Sequence, residues 1–298
     1  MSRGRTRTPP PSGLIIVDKP AGWTSHDVVA KLRGIAGTRK VGHAGTLDPM
    51  ATGVLVVGVE KATRLLGHLA LTEKSYDATI RLGQATNTDD AEGEIVSTAD
   101  ASGVSDERIA AGVAALTGRI MQVPPRVSAI KVNGERAYKL ARSGEDVELS
   151  ARPVTVTAFD VISVRRDGEL VDVDVSVTCS SGTYIRSLAR DLGQALGTGA
   201  HLTALRRTRV GPYDLAQART IDDLARECTI TPLAEAVAAA FPRRDLTAEE
   251  ARIVSHGGRT AAGSEGPGPI GAFAPDGTLV ALLENRGRQA RPLIVFTG

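Results

Sequence analysis

Residues 154–178 constrain the fold more than any other stretch of this chain. Two runs, Val154 to Val164 and Leu170 to Thr178, alternate apolar and polar side chains around the turn Arg166-Asp167-Gly168. Successive strand side chains point to opposite faces, so the pattern predicts a hairpin with one face against a core. Helical periodicities surround it. Thr24 or Ser25 caps a helix that carries Val28, Val29, Leu32 and Ile35 and stops at Gly37. Residues 60–71 read as helical, Asp106 to Leu116 is an alanine-rich helix, and Tyr184 to Leu196 sets Ile185, Leu188, Leu192 and Leu196 on one face. GLIIVDKP (13–20), Val54 to Val59 and Ser75 to Leu82 read as strands. Strands and helices mixed without regular βαβ alternation predict an α+β fold.

The 298 residues suffice for one large domain and a small one. The opening MSRGRTRTPPPSG has Arg3, Arg5 and Arg7 but no apolar segment behind them, so residues 1–12 read as a disordered basic tail and not a secretory signal. No apolar run approaches the roughly 18 residues of a membrane span. Cys179 and Cys228 form neither a disulfide framework nor a zinc spacing, which predicts a reducing, cytoplasmic setting. Residues 123–154 begin with Pro124-Pro125 and are rich in basic side chains, like an insertion projecting from a core. From Pro242 the character changes to a short capped helix, a Gly/Pro-rich stretch over 263–269 and two strand-like runs ending at Phe296. The expected division is 13–240 and 241–298.

Net charge is only +2, but it is unevenly placed. Lys19, Lys31, Arg33, Arg39 and Lys40 face one acid, Asp27, and the arginines between His201 and Arg219 face only Asp214. Such patches suit a phosphate-bearing partner, or are solvated faces balanced elsewhere. The glycine-rich loop KVGHAGTLDPMATG (40–53) holds His43, Thr46 and Asp48 between a helix and a strand. A carboxylate there suits a nucleophile or general base, although an Asp before Pro also organises turns. The five histidines, at 26, 43, 68, 201 and 256, show no metal-ligand spacing, and no phosphate-binding or dinucleotide fingerprint is present. Neither metal nor cofactor is expected.

That loop, GHAGTLDPMATGVL, resembles the motif that carries the catalytic aspartate of pseudouridine synthases, specifically the bacterial tRNA pseudouridine-55 synthase (TruB-type) family. Other segments agree in order. Lys19-Pro20 with Gly22, Thr24 and Ser25 resembles the family's first motif, and Lys74-Ser75-Tyr76 the strand bearing its tyrosine. Gln122 to Lys131, Tyr138 and Ala141-Arg142 resemble the RNA-gripping insertion. Gly182-Thr183-Tyr184-Ile185-Arg186 resembles the motif of the active-site arginine, and Gly199 to Arg207 the last core segment. The chain departs from the pattern at Ala44, Val56, Ser181 and Arg126-Val127.

The resemblance implies a catalytic core with a mixed, mostly antiparallel sheet flanked by helices, an RNA-gripping insertion and a small β-rich, PUA-like C-terminal domain, the last from LTAEEARIVSHGGR at 246–259. It implies isomerisation of uridine to pseudouridine in the T-loop of tRNA, with Asp48, Tyr76 and Arg186 as catalytic residues. His43, Tyr184, Leu205 and Lys19 are implied around the substrate. Lys131, Arg136, Lys139, Arg142, Arg206 and Arg207, with Arg209, are candidate phosphate contacts, which makes binding fall with salt. Arg186 would keep Asp48 ionised; because a cation at a helix amino end opposes the macrodipole, something else must hold it there. The expected partner is tRNA alone, bound by a monomer without an obligate protein partner. A tRNA-folding chaperone, or a synthase working inside an RNA-guided complex, are the competing readings.

Overall fold

The computed structural model describes residues 10–125, 131–132, 135–136 and 149–297. Of the predicted tail, residues 1–9 lie outside the described residues, as do Lys139 and Arg142 of the predicted insertion.

The chain opens with strand β1 (Gly13–Lys19), helix α1 (Ser25–Ala36), β2 (Val41–Ala44) and β3 (Thr52–Val59). A 3-10 turn (Glu60–Leu65) and the short α2 (Leu66–Leu69) lead into β4 (Lys74–Leu82). A ribbon of β5 (Gln84–Thr86) and β6 (Ile95–Thr98) precedes α3 (Asp106–Ala115) and β7 (Gly118–Gln122). The pair β8 (Lys131–Val132) and β9 (Glu135–Arg136) is followed by the long hairpin β10 (Arg152–Asp167) and β11 (Leu170–Cys179). Then come α4 (Ile185–Leu196), β12 (Ala200–Val210), β13 (Tyr213–Asp214), α5 (Ile221–Arg226), β14 (Thr231–Pro232) and α6 (Leu233–Ala240). The last part is β15 (Arg243–Asp245), α7 (Ala248–Ser255), β16 (Thr260–Ala261), β17 (Ile270–Phe273), β18 (Leu279–Arg286) and β19 (Gln289–Val295).

The main sheet runs β14-β1-β3-β12-β4-β11-β10-β7, with β2 beside β3 and β13 beside β12. Every pairing in it is antiparallel except β12 with β3. This is the mixed, mostly antiparallel sheet that the resemblance implied, and the hairpin turns where Asp167 pairs with Leu170. Strands β1 and β3 bury both faces. Ile15, Val17, Leu55 and Val57 enter one apolar cluster, with α1 and α4, while Leu14, Ile16, Val54 and Val56 enter another. Two-sided burial is why GLIIV and VLVVGV are continuous apolar runs and not alternating ones.

The C-terminal strands form a second sheet, β15-β17-β18-β19-β16. Its own cluster packs Val254 of α7 on Ile270, Val280 and Leu283. Phe273, Leu282, Ile294 and Phe296 instead join Leu14, Leu65 and Val237 in the second cluster of the main sheet.

Three local expectations are corrected. Residues 41–44, read as loop, form β2, because pairing with β3 supplies ladder bonds that local glycine content hides. Residues 60–71 are mostly a 3-10 turn with one short helix, too few residues for a stable α-helix on their own. The C-terminal part holds five strands where two runs were legible, since the short strands β15 and β16 exist only through their neighbours. No helix among the described residues is long and apolar enough to cross a membrane.

Candidate active site

One rung of the main sheet fixes the floor of the site: Lys19 stands opposite Gly53, Gly53 opposite Arg207, Arg207 opposite Tyr76 and Tyr76 opposite Val177. The parallel junction of β3 with β12 requires the glycine. Gly53 has φ 97°, and a Cβ built on it would lie 2.2 Å from the carbonyl oxygen of Arg207.

Asp48 lies between β2 and β3, on a segment tied down from two sides. The Ser25 hydroxyl at the start of α1 accepts from the Leu47 amide at 2.9 Å and donates to the Leu47 carbonyl at 3.2 Å. Lys19 Nζ, fully buried, donates to the carbonyls of Pro20 (2.9 Å), Trp23 (2.5 Å) and Pro49 (3.1 Å). Burial lowers its pKa to about 8 against the opposing pull of Asp48. Lys19 therefore organises the loops and does not line the cavity around Asp48, although the resemblance implied it around the substrate.

Arg186 occupies the first turn of α4 and is buried. Its Nε and Nη2 reach Asp48 Oδ2 at 3.0 Å and Oδ1 at 3.1 Å, a two-point pair. Nη1 donates to the Thr88 carbonyl at 2.9 Å and lies 3.5 Å from Asp90 Oδ2. Two carboxylates thus overcome the unfavourable helix end. Burial raises the pKa of Asp48; Arg186 opposes this, and Asp90 adds to it. Asp90 is itself buried, held by the Thr88 hydroxyl (2.6 Å) and the Glu92 amide (3.1 Å).

Asp48, Tyr76, Tyr184, Arg186 and Leu205 line one cavity of about 260 Å³, together with residues 180–183. Its size suits a base and not a folded helix. Tyr184 is the extended residue before α4, and both its backbone groups are held by the Gln122 amide, at 2.8 and 3.1 Å. Tyr76 is buried; burial raises its phenol pKa, against the charge of the Arg207 guanidinium. Lys74 also lines the cavity, with Nζ donating to Ala70 and Thr72 carbonyls, both at 2.8 Å, and a pKa lowered to about 8 by burial. His43 is not in the lining. It sits on β2 with its ring edge-on to His26 at 5.4 Å between centroids, and burial lowers its pKa to about 4.

Among the residues expected to grip phosphates, Arg207 is corrected: it is 1% exposed, and its guanidinium is turned inward onto main-chain carbonyls. Tandem arginines on a strand face opposite ways, so only one of Arg206 and Arg207 can reach solvent. Arg206 does, in a two-point pair with Asp18 at 2.8 and 3.0 Å, and Arg209 pairs with Glu73 at 2.6 Å. Lys131 and Arg136 stand opposite each other on β8 and β9. Sequence reading missed Asp90, Gln122 and Lys74. Asp90 sits in a run of polar residues where nothing local marks one carboxylate as buried, whereas Lys74 was already inside the quoted Lys74-Ser75-Tyr76 motif.

The sequence matches the TruB family pseudouridylate synthase N-terminal domain over residues 33–185, the tRNA pseudouridylate synthase B C-terminal domain over 186–237 and the tRNA pseudouridine synthase II C-terminal region over 241–297. It is 66% identical over 290 residues to tRNA pseudouridine synthase B of Thermobifida fusca, covering 96% of this chain and 99% of that one. To the protein of the same name from an Arthrobacter species it is 62% identical over 296 residues, 96% of each chain. Among solved structures, a chain of an H/ACA ribonucleoprotein bound to a substrate RNA containing 2′-deoxyuridine superposes with a TM-score of 0.72 at 28% identity, over 96% of this chain and 85% of that one. On these matches the chain belongs to the TruB family of pseudouridine synthases.

Proposed function

We propose that this protein converts uridine to pseudouridine in the T-loop of tRNA, working as a monomer in the cytoplasm without a protein partner. The observation that carries the reading is the buried Arg186 gripping Asp48 at two points on the wall of a base-sized cavity. The reaction breaks C1′–N1 and forms C1′–C5; the C5 proton leaves, its bonding pair returns to the ring, and N1 takes a proton. Redox state does not change.

Each residue has a part. Asp48 acts as a carboxylate, whether on C1′, on the base or on a ribose proton, and Arg186 keeps it ionised where burial opposes ionisation. A uracil stacked in a folded loop cannot reach this cavity, so it is flipped out, at an unstacking cost of a few kcal/mol. Tyr76 and Leu205, which line the cavity, then bracket the ring, and the Tyr76 hydroxyl takes part in proton transfer at C5. His43 braces the RNA at the cavity's approach, and Tyr184 fixes the loop that closes it. Lys131, Arg136, Lys139, Arg142 and Arg206 supply phosphate contacts, and residues 241–298 form a PUA-like module that adds RNA surface.

The test uses tRNA tritiated at uracil C5. Release of label by the wild type, lost by on the order of 1,000-fold or more in Asp48→Asn while tRNA binding persists, is the expected result. A folded wild type that binds tRNA and releases no label overturns the reading in favour of a tRNA-binding chaperone.

A further inference from the structure

Arg207 is the largest fully buried side chain described in the molecule, and it lines the cavity that holds Asp48 and Tyr76. Its Nε donates to the Val54 carbonyl at 2.7 Å, Nη2 to Gly45 at 3.0 Å and Nη1 to Thr46 at 3.4 Å. Residues 45 and 46 precede Asp48 and residue 54 follows it, so one planar group ties both ends of the segment that carries the carboxylate. Tyr76 is its neighbour across the β12–β4 pairing and lines the same cavity. All three carbonyl partners are formally neutral.

A buried cation held only by neutral oxygens is costly, and a hydrophobic residue would pack the same space more stably. The arrangement makes physical sense if the charge is used. A second buried cation, Lys74, stands beside it: a Cβ on Gly45 would lie 3.4 Å from Lys74 Cε and 3.6 Å from Arg207 Nη1. The Tyr76 phenol thus has the Arg207 charge beside it and the Asp48 carboxylate opposing it on the walls of one buried cavity, where charge acts most strongly on a developing anion.

We infer that Arg207 is a positioning residue for the isomerisation: it fixes the Asp48 segment at both ends and sets its charge beside the Tyr76 phenol, which receives the C5 proton. The inference rests on the proposed reaction and assigns the buried arginine to it. A lysine cannot replace it. Its point charge lacks the five-donor fork that spans the three carbonyls.

The experiment compares R207Q and R207K with wild type in three measurements: single-turnover tritium release across pH, tRNA affinity by filter binding, and the titration of Tyr76 followed by ¹³Cζ-tyrosine NMR. Only four tyrosines are present, so Y76F assigns the signal. R207Q is expected to slow release by on the order of 100-fold with tRNA affinity within about 3-fold, and to move the Tyr76 titration up by about one pH unit or more. R207K, which keeps the charge, is expected to leave that titration near the wild-type value and still to lose about 10-fold in rate, through the untied Asp48 segment. A folded R207Q with an unmoved Tyr76 titration overturns the inference, as does R207K at the wild-type rate; if R207Q does not fold, R207K alone decides. Absence of release by wild type overturns the proposed function itself, which separates the two failures.

Discussion

At the residue scale the site is an arrangement of buried charges whose ionisation states depend on one another. Asp48 is pushed up by burial and by Asp90 and drawn down by Arg186. In the proposed reaction the carboxylate is the reacting form, so activity is lost as pH falls through its pKa, and the acid limb lies above the ordinary value of 3.8. Removing the guanidinium removes the positive charge that holds the pKa down. Arg186→Gln is therefore expected to move the acid limb further up and to cut the plateau rate by on the order of 100-fold. A pH profile of single-turnover label release checks both effects. The arginine and the aspartate were legible from their motifs. Asp90 was not, because desolvation is a property of the assembled packing and nothing in a run of polar residues encodes it.

At the scale of elements, the junction of β3 and β12 is the point of least tolerance. Gly53 has φ 97°, and a Cβ added there would come within 2.2 Å of the Arg207 carbonyl oxygen. Any side chain must push the two strands apart at the rung that carries Lys19, Arg207 and Tyr76. Gly53→Ala is expected to cost about 2–4 kcal/mol in urea unfolding and to abolish label release. At the start of α1, the capping box between Thr24 and Asp27 holds the helix whose first residue, Ser25, ties down Leu47. Thr24→Ala is expected to lose about 1 kcal/mol of stability, read by the same unfolding measurement. The helices and long strands were legible from periodicity and caps. β2 and the short C-terminal strands were not, since partners distant in sequence create them.

At the scale of the whole molecule, the two sheets share one apolar cluster. Phe296 packs there with residues of the main sheet, Arg64 lies 5.6 Å from its ring centroid, and Lys61 and Arg64 donate to the carbonyls of Phe296 and Val295 at 2.8 and 2.7 Å. Phe296→Ala is expected to cost about 3–5 kcal/mol, seen as a lowered urea midpoint reported by both sheets. A midpoint shift confined to the C-terminal sheet would show that the shared cluster does not couple them. By itself the sequence determined the α+β class, the hairpin and the capped helices, because periodicity and caps are local and survive in one dimension, and its resemblance to one family's contiguous motifs marked Asp48, Tyr76 and Arg186 as the candidates for chemistry. Only the tertiary structure decided which charges are buried and what they face: Arg207 inward on the Asp48 segment, Arg206 outward on Asp18, Asp90 behind Arg186. Burial and pairing depend on what the rest of the chain brings alongside, and no local pattern carries that information.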